Sequence, residues 1–312
     1  METYLVTGGA GFIGSNIVEE LLRQNKNVKV LDNFSTGKKE NLITFKQDIE
    51  IIEGDITNFE VVKKSIKNVD YVFHLAAMPS VQLSIEKPEK CNKINVEGTL
   101  NILIASRDAN VKRVVFSSSS AIYGDSCEIP KTENMIPSPV SPYGLSKLFG
   151  EYYCKIFYKI YQLETISLRY FNVFGKRQDP NSHYAAVIPK FIEVFKKNNF
   201  PTIFGDGTQS RDFVHIENVV EANILASQIK KTNGEILNIG CGISYTLLEL
   251  VDYLKNIFGK DISPIFLDER IGDIKHSVAS ILNAEKFLNY KVKVGFQEGL
   301  KNTVDWYLNQ KT

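Results

Sequence analysis

The stretch YLVTGGAGFIGSNIVEELL, residues 4–22, decides the fold. Its first four residues are compact and apolar, as a strand buried on both faces requires. Gly8, Gly11 and Gly14 follow at three-residue spacing, and an apolar-periodic helix begins among them. Glycine lets a backbone turn sharply and approach a neighbour or a ligand closely. The helix that opens behind such a turn presents free N–H groups and the positive end of its dipole. A glycine trio alone is a weak signal; strand before and helix after give it meaning.

The same alternation continues outward from this unit. VKVLD (28–32), IEIIEGD (49–55), YVFHLAA (71–77) and RVVFSSSS (113–120) read as further strands. Helical stretches lie between them, clearest at 13–24, 59–67 and 89–109, and another helix follows Pro142. ETISLRYFNVFG (164–175) supplies one more strand. Strands alternating with helices predict an α/β fold, a Rossmann-type doubly wound parallel sheet covered on both faces. After about residue 175, loops rich in Gly, Asp and Pro separate shorter elements. This predicts a first domain over 1–170 and a smaller mixed lobe over 171–312, with some later segments returning to the first domain.

Composition narrows the function classes. The chain has 312 residues, 43% of them hydrophobic, which allows a large core. A net charge of +1 offers no electrostatic case for nucleic acid or an anionic membrane. No apolar run approaches the roughly 18 residues a membrane helix needs. Cys91, Cys127, Cys154 and Cys241 form no CxxC pair, and His74, His183, His215 and His276 are scattered, so no metal site is expected. Free cysteines and an N-terminus that runs straight into a strand predict a reducing, cytoplasmic setting.

The strand ends point to a dinucleotide. Asp32 closes the second strand, where a carboxylate accepts hydrogen bonds from a ribose and repels a 2′-phosphate, favouring NAD over NADP. Asp55 ends the third strand, where it can meet the adenine; Ala76 and Ala77 end the fourth and leave room for a flat cofactor. A second constellation begins at SPYGLSK (141–147). Ser141 and Pro142 predict a helix start, which places Tyr143 and Lys147 together on its first turns. A free tyrosine has a pKa of about 10, and bringing it to neutrality takes roughly 4 kcal/mol. A neighbouring lysine and the positive nicotinamide ring can supply that. The spacing alone also fits a plain surface pair, and Tyr307 and Lys311 repeat it.

Taken jointly, TGGAGFIG, DNFSTG, HLAA, FSSSSAIYG, SPYGLSK and LRYFNVFG resemble the extended short-chain dehydrogenase/reductase family. GDGTQSRDFVHIENV (205–219), RIGDIKHS (270–277) and NVFGKRQDPNSHYAAVIPKF (172–191) are similar to its UDP-sugar 4-epimerase branch. The likeness spans about residues 3 to 308. It implies inversion at sugar C4 through a transient keto sugar, with tightly bound NAD regenerated each cycle. It implies Tyr143 as the base, Lys147 as its partner and ribose anchor, and Ser119 as the assisting hydroxyl, with Ser120 as a substitute or helper. It adds Phe12, Ile13, Asn33, Ile56, Leu75 and Asn95 to the cofactor side, Asn95 as the residue that steadies the active-site helix. Related dehydratases and decarboxylases carry carboxylates directly after the catalytic Ser or Thr. Here those positions are Ser120 and Ala121, which favours simple epimerisation.

For the substrate, the resemblance implies Arg211 and Arg270 as diphosphate clamps. Asn172 would meet the diphosphate and Asp273 the nucleoside ribose, with Val187 and Phe204 facing uracil. Ser80, Val81 and Gln82 would border the hexose. Arg177 fits either the sugar end or a surface ion pair. Ser277 stands where a small residue admits an N-acetyl group, so UDP-N-acetylglucosamine and UDP-N-acetylgalactosamine are expected beside UDP-glucose and UDP-galactose. A UDP-glucuronate 4-epimerase and a non-catalytic NAD-binding or nucleotide-sugar-binding protein remain as rivals. The resemblance also implies a homodimer through helices near 86–107 and 142–161. LNILIA (100–105) suits that interface or packing on the sheet equally.

Overall fold

Six strands from the first half form one parallel sheet: β1 (Thr3–Thr7), β2 (Asn27–Asp32), β3 (Ile49–Glu53), β4 (Tyr71–His74), β5 (Arg113–Ser119) and β6 (Glu164–Tyr170). The structure, a computed structural model, describes residues 1–180, 186–269 and 275–310. The later strands are β7 (Asn172–Phe174), β8 (Thr202–Phe204), β9 (Ser210–Arg211), β10 (Phe213–His215), β11 (Glu235–Ile239), β12 (Tyr245–Thr246), β13 (Ile265–Leu267) and β14 (His276–Ser277). The seven-stranded order is β11-β6-β5-β4-β1-β2-β3, with every pair parallel. The winding reverses between β1 and β4, which opens the crevice where such sheets bind ligands.

Helices cover both faces. They are α1 (Phe12–Arg23), α2 (Phe59–Ile66), α3 (Val81–Glu86), α4 (Pro88–Asn92), α5 (Gly98–Asp108), α6 (Pro142–Tyr161), α7 (Val187–Lys196), α8 (Ile216–Gln228), α9 (Leu247–Phe258), α10 (Leu282–Leu288) and α11 (Phe296–Asn309). Neighbouring strand residues point to opposite faces, so Val6 packs with Ile17, Phe73 and Val219 while Leu5 packs with Val72, Ile102 and Phe116. Each of these buried side chains contributes about 1.5–3 kcal/mol relative to exposure. A third core, around Phe174, Phe213, Phe296 and Leu250, is built from residues beyond 171. Strand β11 and helix α8 come from beyond residue 171 yet join the sheet and its α1 face.

Several boundaries differ from expectation. β3 ends at Glu53 and β4 at His74, short of the expected 55 and 77. The run 164–175 is two strands: Phe171 donates to Ile239 O (3.0 Å), and β7 then pairs with β10 instead of continuing the sheet. The helix expected over 89–109 is α4, a π-helical turn over Lys93–Glu97, and α5. LNILIA packs inward, with Ile102 and Leu103 fully buried against the sheet.

Candidate active site

The turn after β1 is shaped for close approach. Gly8 has φ +69°, and a Cβ there would stand 2.8 Å from Ala76 N. A Cβ on Gly14 would collide with Gly8 O at 2.2 Å, so glycine is what lets α1 close on the turn. Helix α1 follows Gly11 with no side-chain cap and no acidic residue in its first turn. The N–H groups of Phe12, Ile13 and Gly14 therefore lack intrahelical acceptors and face the crevice mouth as anion donors. By contrast α6 is capped by Ser141 and α2 by Asn58.

The neighbouring strand ends complete a cradle. Asp32 is buried and accepts from Ala10 N (2.9 Å) and Phe34 N (2.8 Å). Burial pushes its carboxyl above the usual range, with those two bonds pulling the other way. A carboxylate has about four acceptor sites, so room is left for a ribose hydroxyl. Asn33 donates to Asp55 (2.7 Å), which also accepts from Thr57 N and Oγ1. Burial alone would raise Asp55, but these bonds hold it below its ordinary value. Ile56 fills the floor against Gly98. Uncapped donors, a buried acceptor and two glycines that exclude any Cβ together fit a dinucleotide.

A chain of hydrogen bonds ties this cradle to α6. Thr99 Oγ1 donates to Asn95 O (2.6 Å), so it accepts from His74 Nε2–H (2.9 Å). His74 Nδ1 then accepts from the Thr7 hydroxyl (2.8 Å), and Thr7 Oγ1 accepts from Leu75 N and Ala76 N (3.2 Å each). Burial pushes His74 down to about 3, with the Lys147 charge adding to it, so the ring is neutral and the tautomer fixed. Asn95, in the π turn, accepts from Met78 N (2.7 Å) and donates to Ser146 Oγ on α6 (2.9 Å). It braces the helix rather than pointing at a ligand. His74 was not singled out from sequence; its only signal was the HLAA run.

Helix α6 brings Tyr143, Lys147 and Glu151 onto one face at four-residue spacing. Lys147 is buried and donates to Ser117 O (2.7 Å), with its Nζ 5.8 Å from the Tyr143 ring centroid. The reach depends on Gly150, where a Cβ would stand 2.3 Å from Phe116 Cζ. Ser119, at the end of β5, lies near the Tyr143 phenol and caps Ala121 N (3.1 Å). Ser120 starts the following 3-10 turn, half-buried. Burial pushes Lys147 down to about 8, with Cys91 and Glu151 pulling it up. Burial pushes the Tyr143 phenol up, with Ser119 pulling down. The ammonium gives its short bond to Ser117 O, and in the protein alone desolvation is the largest influence on the phenol.

The second lobe gathers some expected substrate residues and not others. Arg211 on β9 is register partner to Ser277 on β14 and to Tyr245 on β12. Its guanidinium donates to Ser210 O (3.0 Å) and Lys275 O (3.3 Å). Asn172 on β7 donates through N and Nδ2 to Asp212 O (3.1 and 3.4 Å), which brings it beside β9. Ser277 is nearly buried at 8% exposure. Val187 opens α7 and Phe204 ends β8, both half-buried. Arg270 and Asp273 lie outside the described residues. Arg177 donates to Glu19 (2.9 Å) and to Ser15 O (3.3 Å) on α1, so the ion-pair reading holds. The Ser80 hydroxyl is used as the cap of α3, accepting from Leu83 N (3.0 Å), while Gln82 reaches Glu86. Sequence reasoning missed Asp212, a fully buried carboxylate between Arg211 and Phe213, and the buried pair of Glu151 with Arg169.

A dinucleotide cradle at the switch point, beside a serine, a tyrosine and a lysine on strand end and helix, defines a short-chain dehydrogenase/reductase scaffold. The chain belongs to the NAD dependent epimerase/dehydratase family, whose pattern matches residues 4–240, and its cofactor is NAD. It is 42% identical over 307 residues to a putative UDP-glucose 4-epimerase of Methanocaldococcus jannaschii, covering 98% of each chain. It is similar to the solved UDP-N-acetylglucosamine 4-epimerase of Methanobrevibacter ruminantium M1, in complex with UDP-N-acetylmuramic acid (TM-score 0.95, 42% identity, 99% of both chains). The UDP-glucose 4-epimerase of Thermotoga maritima with UDP-glucose matches with TM-score 0.93 and 40% identity over 98% of both chains.

Proposed function

We propose that this chain inverts C4 of UDP-sugars, interconverting UDP-N-acetylglucosamine with UDP-N-acetylgalactosamine and UDP-glucose with UDP-galactose. One observation supports the reading: Ser119 ends β5 near the Tyr143 phenol of α6, and the next two residues, Ser120 and Ala121, bear no carboxylate. No carboxylate stands at those two positions to drive dehydration or decarboxylation, which favours simple epimerisation. Tyr143 moves the proton of the 4-hydroxyl, with the Ser119 hydroxyl nearby to assist. When bound, NAD supplies a reversible acceptor for the C4 hydrogen and a positive ring that favours the phenolate against its burial. Phe12, Ile13 and Gly14 N–H groups would hold its pyrophosphate, and Asp32 a ribose. Lys147, pinned on Ser117 O, keeps a cation on the tyrosine's side of the crevice. Residues 1–170 carry this half, and Asn172, Arg211 and Ser277 of the second lobe take the diphosphate and the C2 side of the sugar. The small Ser277 leaves space for an N-acetyl group.

A second copy of the chain is the expected partner. On α6, Leu145, Phe149, Tyr152, Ile156 and Ile160 are 44–62% exposed and recur every three or four residues, on the side away from Lys147. Val81 and Ile85 of α3 add to that face. Among the described residues no helix is long and apolar enough to cross a membrane, and all four cysteines are free, which suits a reducing cytoplasm.

The test is the product mixture formed from UDP-N-acetylglucosamine without added nicotinamide. UDP-N-acetylgalactosamine is expected. Turnover of UDP-glucuronate alone would move the assignment to that sugar, and turnover of no nucleotide sugar would make the chain a binding protein.

A further inference from the structure

Asp212 is fully buried at the junction of four strand segments in the second lobe. Its Oδ1 accepts from Cys241 N (2.7 Å), and its Oδ2 from Gly242 N (2.9 Å) and Ala279 N (3.1 Å). Its own N–H donates to Ser277 O (2.8 Å), and its carbonyl accepts from Asn172 N (3.1 Å). The loop after β11, the strand β14 and the start of β7 are thus bonded to one residue. A Cβ at Gly240 would stand 2.6 Å from Oδ2, so the chain closes tightly on the carboxylate. Strands β9, β12 and β14 are each two residues long and cannot fix their own register.

We propose that Asp212 is a positioning residue for the nucleotide-sugar half of the site: its carboxylate gathers β14 and the 240–242 loop so that Asn172, Arg211 and Ser277 stand together. The inference rests on the assignment of those three residues to the substrate. A carboxylate bonded to backbone N–H groups is a charge-assisted acceptor, roughly twice as strong as a neutral one. Protonation, or replacement by an amide, turns a donor toward N–H groups that need an acceptor.

The groups around it frame the pH dependence. Tyr245 of β12, Cys241 after β11 and Tyr290 after α10 all feel its charge. His276 of β14 bonds Ser210 Oγ (2.9 Å), and His215 of β10 packs against Gly299, pushed down to about 4 by burial. Burial raises Asp212 to about 6, with the three N–H bonds pulling down. Because the folded value lies above the ordinary 3.8, the fold by itself favours the proton: stability falls as pH rises through this window. The ionised form is kept at neutral pH at the fold's expense, and the arrangement of substrate residues is what it secures.

The experiment compares the full-length holoenzyme with Asp212→Asn between pH 5 and 7. UDP-N-acetylglucosamine is the probe, since its diphosphate diester carries no group that titrates in this range. Calorimetric affinity, KM, kcat and retained NAD are read together. Expected are wild-type NAD content in the variant, affinity and KM weakened about tenfold at pH 7, kcat within about threefold, and no pH dependence of affinity. Wild-type affinity should fall about tenfold from pH 7 to pH 5. Unchanged affinity in the variant overturns the inference, as does a pH dependence that persists in it, which would belong to another group. Should the variant not fold, a flat wild-type profile overturns it alone. Because affinity is read apart from turnover, tight binding without epimerisation would defeat the functional reading and leave this one standing.

Discussion

Glu151 and Asp212 are both fully buried carboxylates, and the molecule holds them in opposite ways. Glu151 takes a two-pronged bond from Arg169 (2.8 Å twice) and a third from Ser118 (2.5 Å). Asp212 is held by three backbone N–H groups. The difference follows from the scaffold around each. Glu151 lies between a twenty-residue helix and seven-residue strands, whose registers put a guanidinium opposite it every time the chain folds. Asp212 lies among strands of two or three residues, and there the charge itself organises the backbone. Fixed elements accept a counter-ion; short ones are assembled around a lone charge.

The largest expected effect tests whether the chemistry belongs to the sheet side alone. Tyr143→Phe should lower kcat by about 10³-fold while NAD content and UDP-sugar affinity stay at wild-type level. A loss of substrate affinity instead would tie Tyr143 to the lobe and blur the contrast. Next, Glu151→Ala leaves Arg169 buried without its partner and should lower unfolding free energy by about 3–5 kcal/mol in urea titration. Asp212→Asn should lower it by less, about 1–3 kcal/mol, since only dipoles lose their acceptor. The reverse ranking would break the comparison. A smaller effect sits on the Lys147 ammonium. Its value is depressed to about 8, so the charge is present below that pH and lost above it. The kcat profile should therefore fall about fivefold between pH 8 and 9, and a Lys147→Arg holoenzyme, always charged, should lack that limb. Smallest of all, Arg177→Ala removes a partly exposed pair with Glu19. It should change stability by less than about 1 kcal/mol and leave KM untouched for every UDP-sugar, including UDP-glucuronate.

The same contrast explains what could be read from the sequence. The glycine turn, Asp32, Ser119 and the Tyr143–Lys147 spacing are local patterns on long elements, and their places in space follow once strand and helix are recognised. The π turn at Lys93–Glu97 was hidden because its cause is distant: Asn95 bonds Met78 and Ser146, far along the chain. Asp212 was hidden for a like reason, as its partners lie 29, 30 and 67 residues away. Arg177 could be read two ways because Glu19 lies 158 residues off. The break at Phe171 turns on a bond to Ile239 that no periodicity announces.

Gly150 bears on all of this from a buried position between α6 and Phe116. Alanine is the better helix former, and by propensity alone it would strengthen α6. Yet the missing methyl is what lets the helix axis come down onto Phe116. The gap works as a spacer gauge for the whole rod. One added carbon would lift the helix off the sheet, stretch the 2.7 Å tether from Lys147 to Ser117, and detune the reaction without touching a reactive atom.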